Sequence, residues 1–180
     1  MTEADVIKEV ARRLDGAGIG YMITGSVAAN FYSIPRMTRD VDIVVELSEK
    51  DARRVFELFK EDFYADMDAM ASAVKERGMF NVIHLEAVVK IDFIVRKDDP
   101  YRIGEFDRKR RILFEGAPLY VVSPEDLILS KLFWARETES EMQMNDVKNL
   151  MKSVKVLDYE YLEKWAGIIG VREAYEMVRS

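Results

Sequence analysis

The 180-residue chain contains no cysteine and only one histidine. Disulfide bonds, cysteine-ligated zinc and thiol catalysis are therefore excluded, because each of them requires a thiol. A single histidine cannot supply a multi-histidine metal centre. Any metal ion would have to be held by carboxylate oxygens, and this ligand set favours magnesium or manganese.

Long apolar stretches are also absent from the sequence. No run approaches the ~18 apolar residues that a transmembrane helix needs, and the first residues lack the apolar core of a secretory signal. We therefore expect a cytoplasmic protein that does not bind a membrane. The formal net charge is −6, which disfavours a large nucleic-acid footprint, because such binding depends on neutralising phosphates. At this length we expect a single domain.

The chain is organised around residues 21–46. A short apolar run ends in Gly25-Ser26, and a β-branched segment begins later with Asp40 and Asp42. Residues two apart on a strand share a face, so these carboxylates should point to the same side. They repel each other unless a cation lies between them, and a divalent ion is the usual solution. A Gly-Ser turn that opens a helix offers free N–H groups to a phosphate. Together these features indicate nucleotide chemistry.

Asp92 is a third candidate ligand. It is the only carboxylate in a strand that we predict over residues 88–95, and its chain neighbours are apolar. A buried acid in such a setting is costly unless it is paired or bound to a metal ion. If this strand lies beside Asp40 and Asp42, three carboxylates converge and could hold two magnesium ions. The alternative is an aspartate at a sheet edge that faces water.

The C-terminal helices contain two further candidates. Lys131 falls within the apolar face of a helix predicted to begin at Pro124, where a lysine either extends to solvent or meets an anion. Both interpretations stay open, and a triphosphate is the anion that the other motifs suggest. Asp146 borders the apolar face of a later helix, so it either pairs with Lys131 or an arginine, or is exposed. Arg36 and Arg39 flank the Asp40 strand, and they either hold phosphate, offset the acidic cluster or lie at the surface.

The order of the predicted elements indicates an α/β (α+β) fold, with a small mixed sheet flanked by helices and a helical C-terminal part. We predict a core over residues 1–116 and a mainly helical part over residues 117–180 that packs on it. Predicted strands cover residues 19–24, 40–47, 80–86, 88–95, 111–114 and 118–122. Predicted helices cover residues 2–15, 26–33, 66–77, 141–152, 158–168 and 171–179, with two more that begin after Ser48 and at Pro124.

These motifs resemble those of the DNA polymerase beta-like nucleotidyltransferase superfamily. Its pattern is a hydrophobic strand, Gly-Gly or Gly-Ser, a short spacer, Asp-x-Asp, and a third acid on a later strand. The matching segments here are Gly25-Ser26, Thr38-Arg39-Asp40-Val41-Asp42 and Lys90-Ile91-Asp92-Phe93. Two distal segments, Ser123-Pro124-Glu125-Asp126-Leu127 leading to Lys131-Leu132, and Asn145-Asp146-Val147, are similar to motifs of the abortive-infection-type nucleotidyltransferases. That group includes toxins of toxin–antitoxin pairs, and its distal motif carries a second acid where this chain has Asn149.

The resemblance implies a nucleotidyltransferase fold and a metal-dependent enzyme. Such an enzyme transfers a nucleoside monophosphate from an NTP to an acceptor hydroxyl. The catalytic and metal-ligating residues would be Asp40, Asp42 and Asp92, with Mg²⁺ or Mn²⁺ as the cofactor. The nucleotide-binding residues would be Gly25 and Ser26 at the phosphate, with Arg39, Lys131 and Asp146 beside them.

The acceptor stays open among a tRNA end, another protein and a small molecule such as an aminoglycoside. A cognate antitoxin and a second copy of the chain are candidate partners. Two other hypotheses compete with the enzyme. One is a catalytically inactive nucleotidyltransferase-like module that binds or regulates, and the other is a structural domain whose acids are solvated. Three converging acids favour the enzyme, because a binding module does not need them.

Overall fold

The structure is a computed structural model that describes residues 1–38 and 40–179. Arg39, one of the predicted nucleotide-binding residues, lies outside the described residues. In the described chain seven strands form one sheet: β1 (Tyr21–Thr24), β2 (Asp40–Val45), β3 (Phe63–Ala65), β4 (Met79–His84), β5 (Lys90–Val95), β6 (Arg110–Phe114) and β7 (Ala117–Val121). The α-helices are α1 (Glu3–Gly16), α2 (Gly25–Tyr32), α3 (Ala52–Phe59), α4 (Met67–Glu76), α5 (Pro100–Asp107), α6 (Pro124–Thr138), α7 (Glu141–Ser153), α8 (Tyr159–Ile168) and α9 (Arg172–Arg179).

The sheet is mixed, and its strand order is β3-β4-β5-β2-β1-β7-β6. Its centre is a parallel pair, β2 with β5, in which Asp42 lies directly opposite Asp92 and Asp40 opposite Lys90. Strand β1 pairs antiparallel with β2 on the other side, and parallel with β7. The mixed sheet flanked by helices is the architecture predicted from the sequence, and it is confirmed.

Predicted and observed elements differ in a few places. The short edge strand β3 and the helix α5 lie outside the strands and helices predicted from the sequence. Strand β7 follows residue 116 directly and pairs with both β1 and β6. The sheet therefore continues past the proposed division at residue 116, and that division stays a prediction. None of the described helices combines the length and apolar composition needed to cross a membrane.

Helix α6 is the central helix of the C-terminal part. Ser123 caps it, and Pro124 occupies its first turn, as the sequence predicted. Helices α2, α7, α8 and α9 all pack against α6, and residues 124–132 of this helix are all buried. Even its polar residues Ser130 and Lys131 are buried. A lysine in this helix therefore needs a partner inside the protein.

Asp126, in the first turn of α6, joins the C-terminal helices to the core. Its carboxylate is fully buried and accepts a hydrogen bond from the Ser123 hydroxyl at 2.6 Å. It also accepts one from Arg108 at 3.2 Å and one from the Tyr161 hydroxyl at 2.7 Å. These bonds connect α6 to α8 and to the segment after α5, so Asp126 is a structural acid.

We expect Tyr161→Phe to lower the free energy of unfolding by about 1–3 kcal/mol, because a buried oxygen of Asp126 loses its donor while the ring packing is kept. Urea denaturation followed by circular dichroism measures the change. Tyr64→Phe is the matched control, since Tyr64 is exposed and its loss should stay within about 0.5 kcal/mol. Equal stabilities for the two variants would contradict this role of Asp126.

Candidate active site

Asp40, Asp42 and Asp92 lie on one face of the central β2–β5 pair. The alternation of β2 directs Val41, Ile43 and Val45 into the core and leaves the two aspartates on the opposite face. The parallel register then brings Asp92 beside Asp42. Asp92 is only 7% exposed and belongs to an interior strand. The alternative of a water-facing aspartate at a sheet edge is therefore wrong.

The carboxylates affect each other's charge. Burial is the main factor that raises the pKa of Asp42 to about 6, and the negative charges of Asp92 and Asp40 raise it further. Lys131 and Lys90 oppose this shift, so the ionised form of Asp42 is unfavourable even with these two cations nearby. One oxygen of Asp92, Oδ1, is buried and has no hydrogen-bond partner among the described residues. A buried carboxylate oxygen without a donor fits a metal ligand.

A cation of the protein itself lies among these acids. The ammonium of Lys90 is 2.8 Å from Asp92 Oδ2 and 3.9 Å from Asp40 Oδ2. Within residues 1–38 and 40–179, no three acidic or histidine side chains form a group close enough to hold a metal ion. The strands thus bring the three predicted acids to one face, and the metal triad itself stays a prediction.

Gly25 begins α2 and lies directly against Asp42. Its φ angle is +63°, and a Cβ at this position would fall 2.0 Å from Asp42 Oδ2. Only glycine permits both this backbone conformation and this close approach. The next residue, Ser26, accepts a hydrogen bond from the Arg36 guanidinium at 2.6 Å. The predicted phosphate turn is therefore adjacent to the acids, as the motif requires.

Lys131 and Asp146 form a buried ion pair behind this turn. The Lys131 ammonium donates to Asp146 Oδ2 at 2.7 Å and to Gln143 Oε1 at 2.9 Å. Both side chains are buried, so the alternatives of a snorkelling lysine and an exposed aspartate are wrong. Burial lowers the pKa of Lys131, although Asp146 opposes this effect. Burial alone would raise the pKa of Asp146, but hydrogen bonds from Arg36 and Lys131 outweigh it and lower that pKa.

Arg36 connects the ion pair to the phosphate turn. Its guanidinium contacts both oxygens of Asp146, at 3.1 and 3.0 Å, and also the Ser26 hydroxyl. The sequence left Arg36 open among a phosphate ligand, a residue that offsets the acidic cluster and a surface residue, and did not identify this bridging role. It also assigned no role to Lys90 or Gln143. Lys90 could have been identified, because it lies two residues before Asp92 and so shares its face.

A cavity of about 580 Å³ opens beside Asp42, and its volume is typical of small-ligand sites. Gly25, Asp42 and Lys131 line it together with the aromatic residues Phe133 and Trp134 of α6. One cavity therefore presents a carboxylate, a helix start, a buried lysine and an aromatic wall. This combination suits a molecule that has both a polyphosphate and an aromatic base.

Comparison with known proteins gives one family and a set of structural neighbours. The family model described as "Nucleotidyl transferase of unknown function (DUF2204)" matches residues 3–179. Comparison with curated protein sequences gives no match.

Several solved structures share the fold. The antibiotic-resistance factor ANT(2'')-Ia is 13% identical, with a TM-score of 0.63 over 97% of this chain and 91% of that chain. An antigenic nucleotidyltransferase-like protein from Paracoccidioides brasiliensis is 18% identical, with a TM-score of 0.57 over 82% and 73% of the respective chains. The lincomycin-bound lincosamide antibiotic adenylyltransferase LnuA is 14% identical, with a TM-score of 0.56 over 84% and 97%. At these identities the likeness establishes the fold.

The raised pKa of Asp42 predicts a pH-dependent stability. Because the folded pKa of about 6 lies above the ordinary value of 3.8, the metal-free fold loses stability as the pH rises through this interval. Asp42→Asn removes this effect. At about pH 8 without divalent metal, the variant should be more stable than the wild type by about 2–3 kcal/mol, and the difference should vanish near pH 4.

Urea denaturation in the presence of a chelator, over this pH range, measures the difference. Asp68→Asn is the control, because Asp68 is exposed in the first turn of α4 and should follow the wild-type profile. An Asp42→Asn variant that is less stable than the wild type at about pH 8 would contradict the argument.

Proposed function

Because the chain belongs to the nucleotidyl transferase family DUF2204, we propose that it transfers a nucleoside monophosphate from an NTP to an acceptor hydroxyl, with Mg²⁺ or Mn²⁺. The observation that carries this proposal is the register of β2 and β5, which places Asp42 beside Asp92 and opposite the close-packed Gly25. The superfamily resemblance drawn from the sequence agrees with this family. The abortive-infection subtype, the toxin–antitoxin role and the cytoplasmic location stay predictions.

The three aspartates of β2 and β5 form the proposed ligand set for the divalent metal ion. We assign Asp40, Asp42 and Asp92 as its ligands, since all three are on one face and Asp92 Oδ1 has no other partner among the described residues. When bound, a divalent ion neutralises the charge that develops on the phosphate oxygens. In the reaction the acceptor oxygen bonds to the α-phosphorus, the bond to the β-phosphate breaks, and pyrophosphate leaves. Asp92 receives the proton of the acceptor hydroxyl.

The remaining residues bind and position the nucleotide. The backbone N–H groups of Gly25 and Ser26 face the phosphates at the start of α2. Lys131 lines the same cavity. Its ammonium has three donors, and the described side chains Asp146 and Gln143 take one each, so the third is directed to a phosphate oxygen. Asp146 and Arg36 keep this ammonium and the turn in place. Arg39 completes the proposed set of phosphate ligands.

The acceptor is to be identified among three classes: an RNA end such as that of a tRNA, a protein hydroxyl, and a small molecule. Two of the structural neighbours contain antibiotics: ANT(2")-Ia is in complex with adenylyl-2"-tobramycin, and LnuA is bound to lincomycin. The net charge of −6 favours a compact acceptor over a large RNA, because few phosphates can be neutralised.

A second candidate function is a nucleotidyltransferase-like module that binds a partner, such as an antitoxin or a second copy of the chain, without catalysis. The observation in its favour is Lys90, whose ammonium lies between Asp92 and Asp40. In this candidate the lysine permanently replaces the metal ion. The two functions differ in one respect that can be tested: only the enzyme transfers a nucleoside monophosphate from an NTP, and only then are the acids needed for the transfer.

The test incubates the protein with each α-labelled NTP, with Mg²⁺ or Mn²⁺, and in turn with total RNA, lysate protein or a small-molecule extract. We expect transfer of label to one acceptor class. Asp42→Asn and Asp92→Asn should reduce it by on the order of 10²-fold or more, because charge stabilisation at the phosphate is lost. The control Asp68→Asn, at an exposed acid, should transfer label at the wild-type rate.

Label transfer that survives Asp42→Asn would overturn the assignment of the acids. A second result would overturn the enzymatic function and favour the binding module. In that result no NTP gives label transfer, and neither NTP nor metal changes the melting temperature.

A further inference from the structure

Lys90 is a charged residue at the candidate site to which the proposed reaction assigns no role. It begins β5 and is paired in register with Asp40, while Asp92, two residues later, is paired with Asp42. Four charged side chains therefore occupy neighbouring positions on one face of two parallel strands. Three of them are acids, so the group carries a net negative charge when all are ionised.

The ammonium of Lys90 occupies the position where a shared cation would lie. It is 2.8 Å from Asp92 Oδ2 and 3.9 Å from Asp40 Oδ2, and these acids belong to different strands. A metal ion bound by both carboxylates would have to lie in the space between them. Because Mg²⁺ binds carboxylate oxygens at about 2.0–2.1 Å, an ion that uses Asp92 Oδ2 together with Asp40 has to replace the ammonium.

The burial of the two partners differs. The side chain of Lys90 is 36% exposed, whereas that of Asp92 is 10% exposed. Lysine has a long, flexible side chain that can extend its ammonium to solvent while its stem stays in place. Asp92 is short and held within an interior strand. Of the two, therefore, the lysine is the side chain that can move.

We propose that Lys90 is a resident counter-ion, which neutralises Asp92 and Asp40 in the resting protein and leaves them when a divalent ion binds. The inference rests on the proposed function, because it concerns the same acids. Its consequence is that the metal competes with an internal cation and binds weakly by itself. The displaced ammonium finds a new anion when a triphosphate arrives, so metal and NTP bind cooperatively.

The alternative is a purely structural ion pair, in which Lys90 only reduces the energetic cost of burying the charge of Asp92 inside the sheet. A structural pair stays in place when metal binds, and its removal destabilises the fold without tightening metal binding. A resident counter-ion leaves its carboxylates when metal binds, and its removal tightens metal binding. Metal affinity and lysine accessibility therefore separate the two roles, and neither measurement depends on catalysis.

The first experiment measures Mn²⁺ binding to the protein by calorimetry, without nucleotide. We expect Lys90→Met and Lys90→Gln to bind Mn²⁺ at least tenfold more tightly than the wild type, because no ammonium has to be displaced. Lys90→Arg keeps the positive charge and should bind as weakly as the wild type. Lys75→Met is the matched control, since Lys75 is exposed on α4 and its removal changes the net charge equally.

The second experiment uses the wild-type protein alone. Reductive methylation of lysines, mapped by mass spectrometry, is compared in chelator and in saturating Mg²⁺. Lys90 should become several-fold more reactive with Mg²⁺, because it leaves its carboxylate partners, while Lys75 should not change. This measurement decides the question even if the Lys90 variants fold poorly.

The outcomes separate this inference from the proposed function. If the wild type binds Mn²⁺, and both Lys90→Met affinity and Lys90 reactivity are unchanged, then the counter-ion role is overturned while the metal site stands. If neither the wild type nor Lys90→Met binds Mn²⁺, with or without NTP, then the metal-dependent function itself fails. Tighter binding in both neutral variants, with the control unchanged, supports the counter-ion.

Discussion

The structure of the site depends on one constraint, the parallel register of β2 and β5. In this register Asp42 lies beside Asp92, and two like charges share a poorly solvated face. Moving either strand by one residue would turn its acids into the core and its valines and isoleucines outward. The apolar face of each strand therefore fixes the position of the acids. Core packing holds together carboxylates whose charges repel.

The residues around these acids affect the repulsion between the carboxylates in different ways. Lys90 supplies a positive charge on the same face, and burial leaves Asp42 with a raised pKa. Gly25 allows the start of α2 to approach Asp42 without a side chain between them. A second charged layer, Arg36, Asp146 and Lys131, joins α2, α6 and α7 behind the turn. The acids of the sheet thus lie near a layer with one more cation than anion, and the additional cation is Arg36, in the segment between α2 and β2.

Much of this arrangement could be predicted from the sequence, because it follows from local rules. The two-residue spacing of Asp40 and Asp42 fixed their common face, and Ser123 with Pro124 marked the start of α6. The neighbours of each strand could not be read in this way. That β5 lies beside β2 depends on a crossover of more than forty residues between them. The pair of Lys131 with Asp146, fifteen residues further along on another helix, was one of two alternatives that the sequence left open. Such pairings depend on tertiary packing, which no short pattern encodes.

The fold and the acids do not determine the acceptor, because neighbours at 13–18% identity share the fold while function depends on the residues of each site. In this chain one helix, α6, supplies several of the residues that line the cavity. Helix α6 supplies Lys131 to the cavity that Asp42 lines, and Phe133 and Trp134 follow within one turn of the same helix. Because Asp146 fixes Lys131 on this helix, a shift of α6 that widened the aromatic wall would also move the ammonium. In the proposed function, the contact with the base and the contact with the phosphates are therefore coupled through α6.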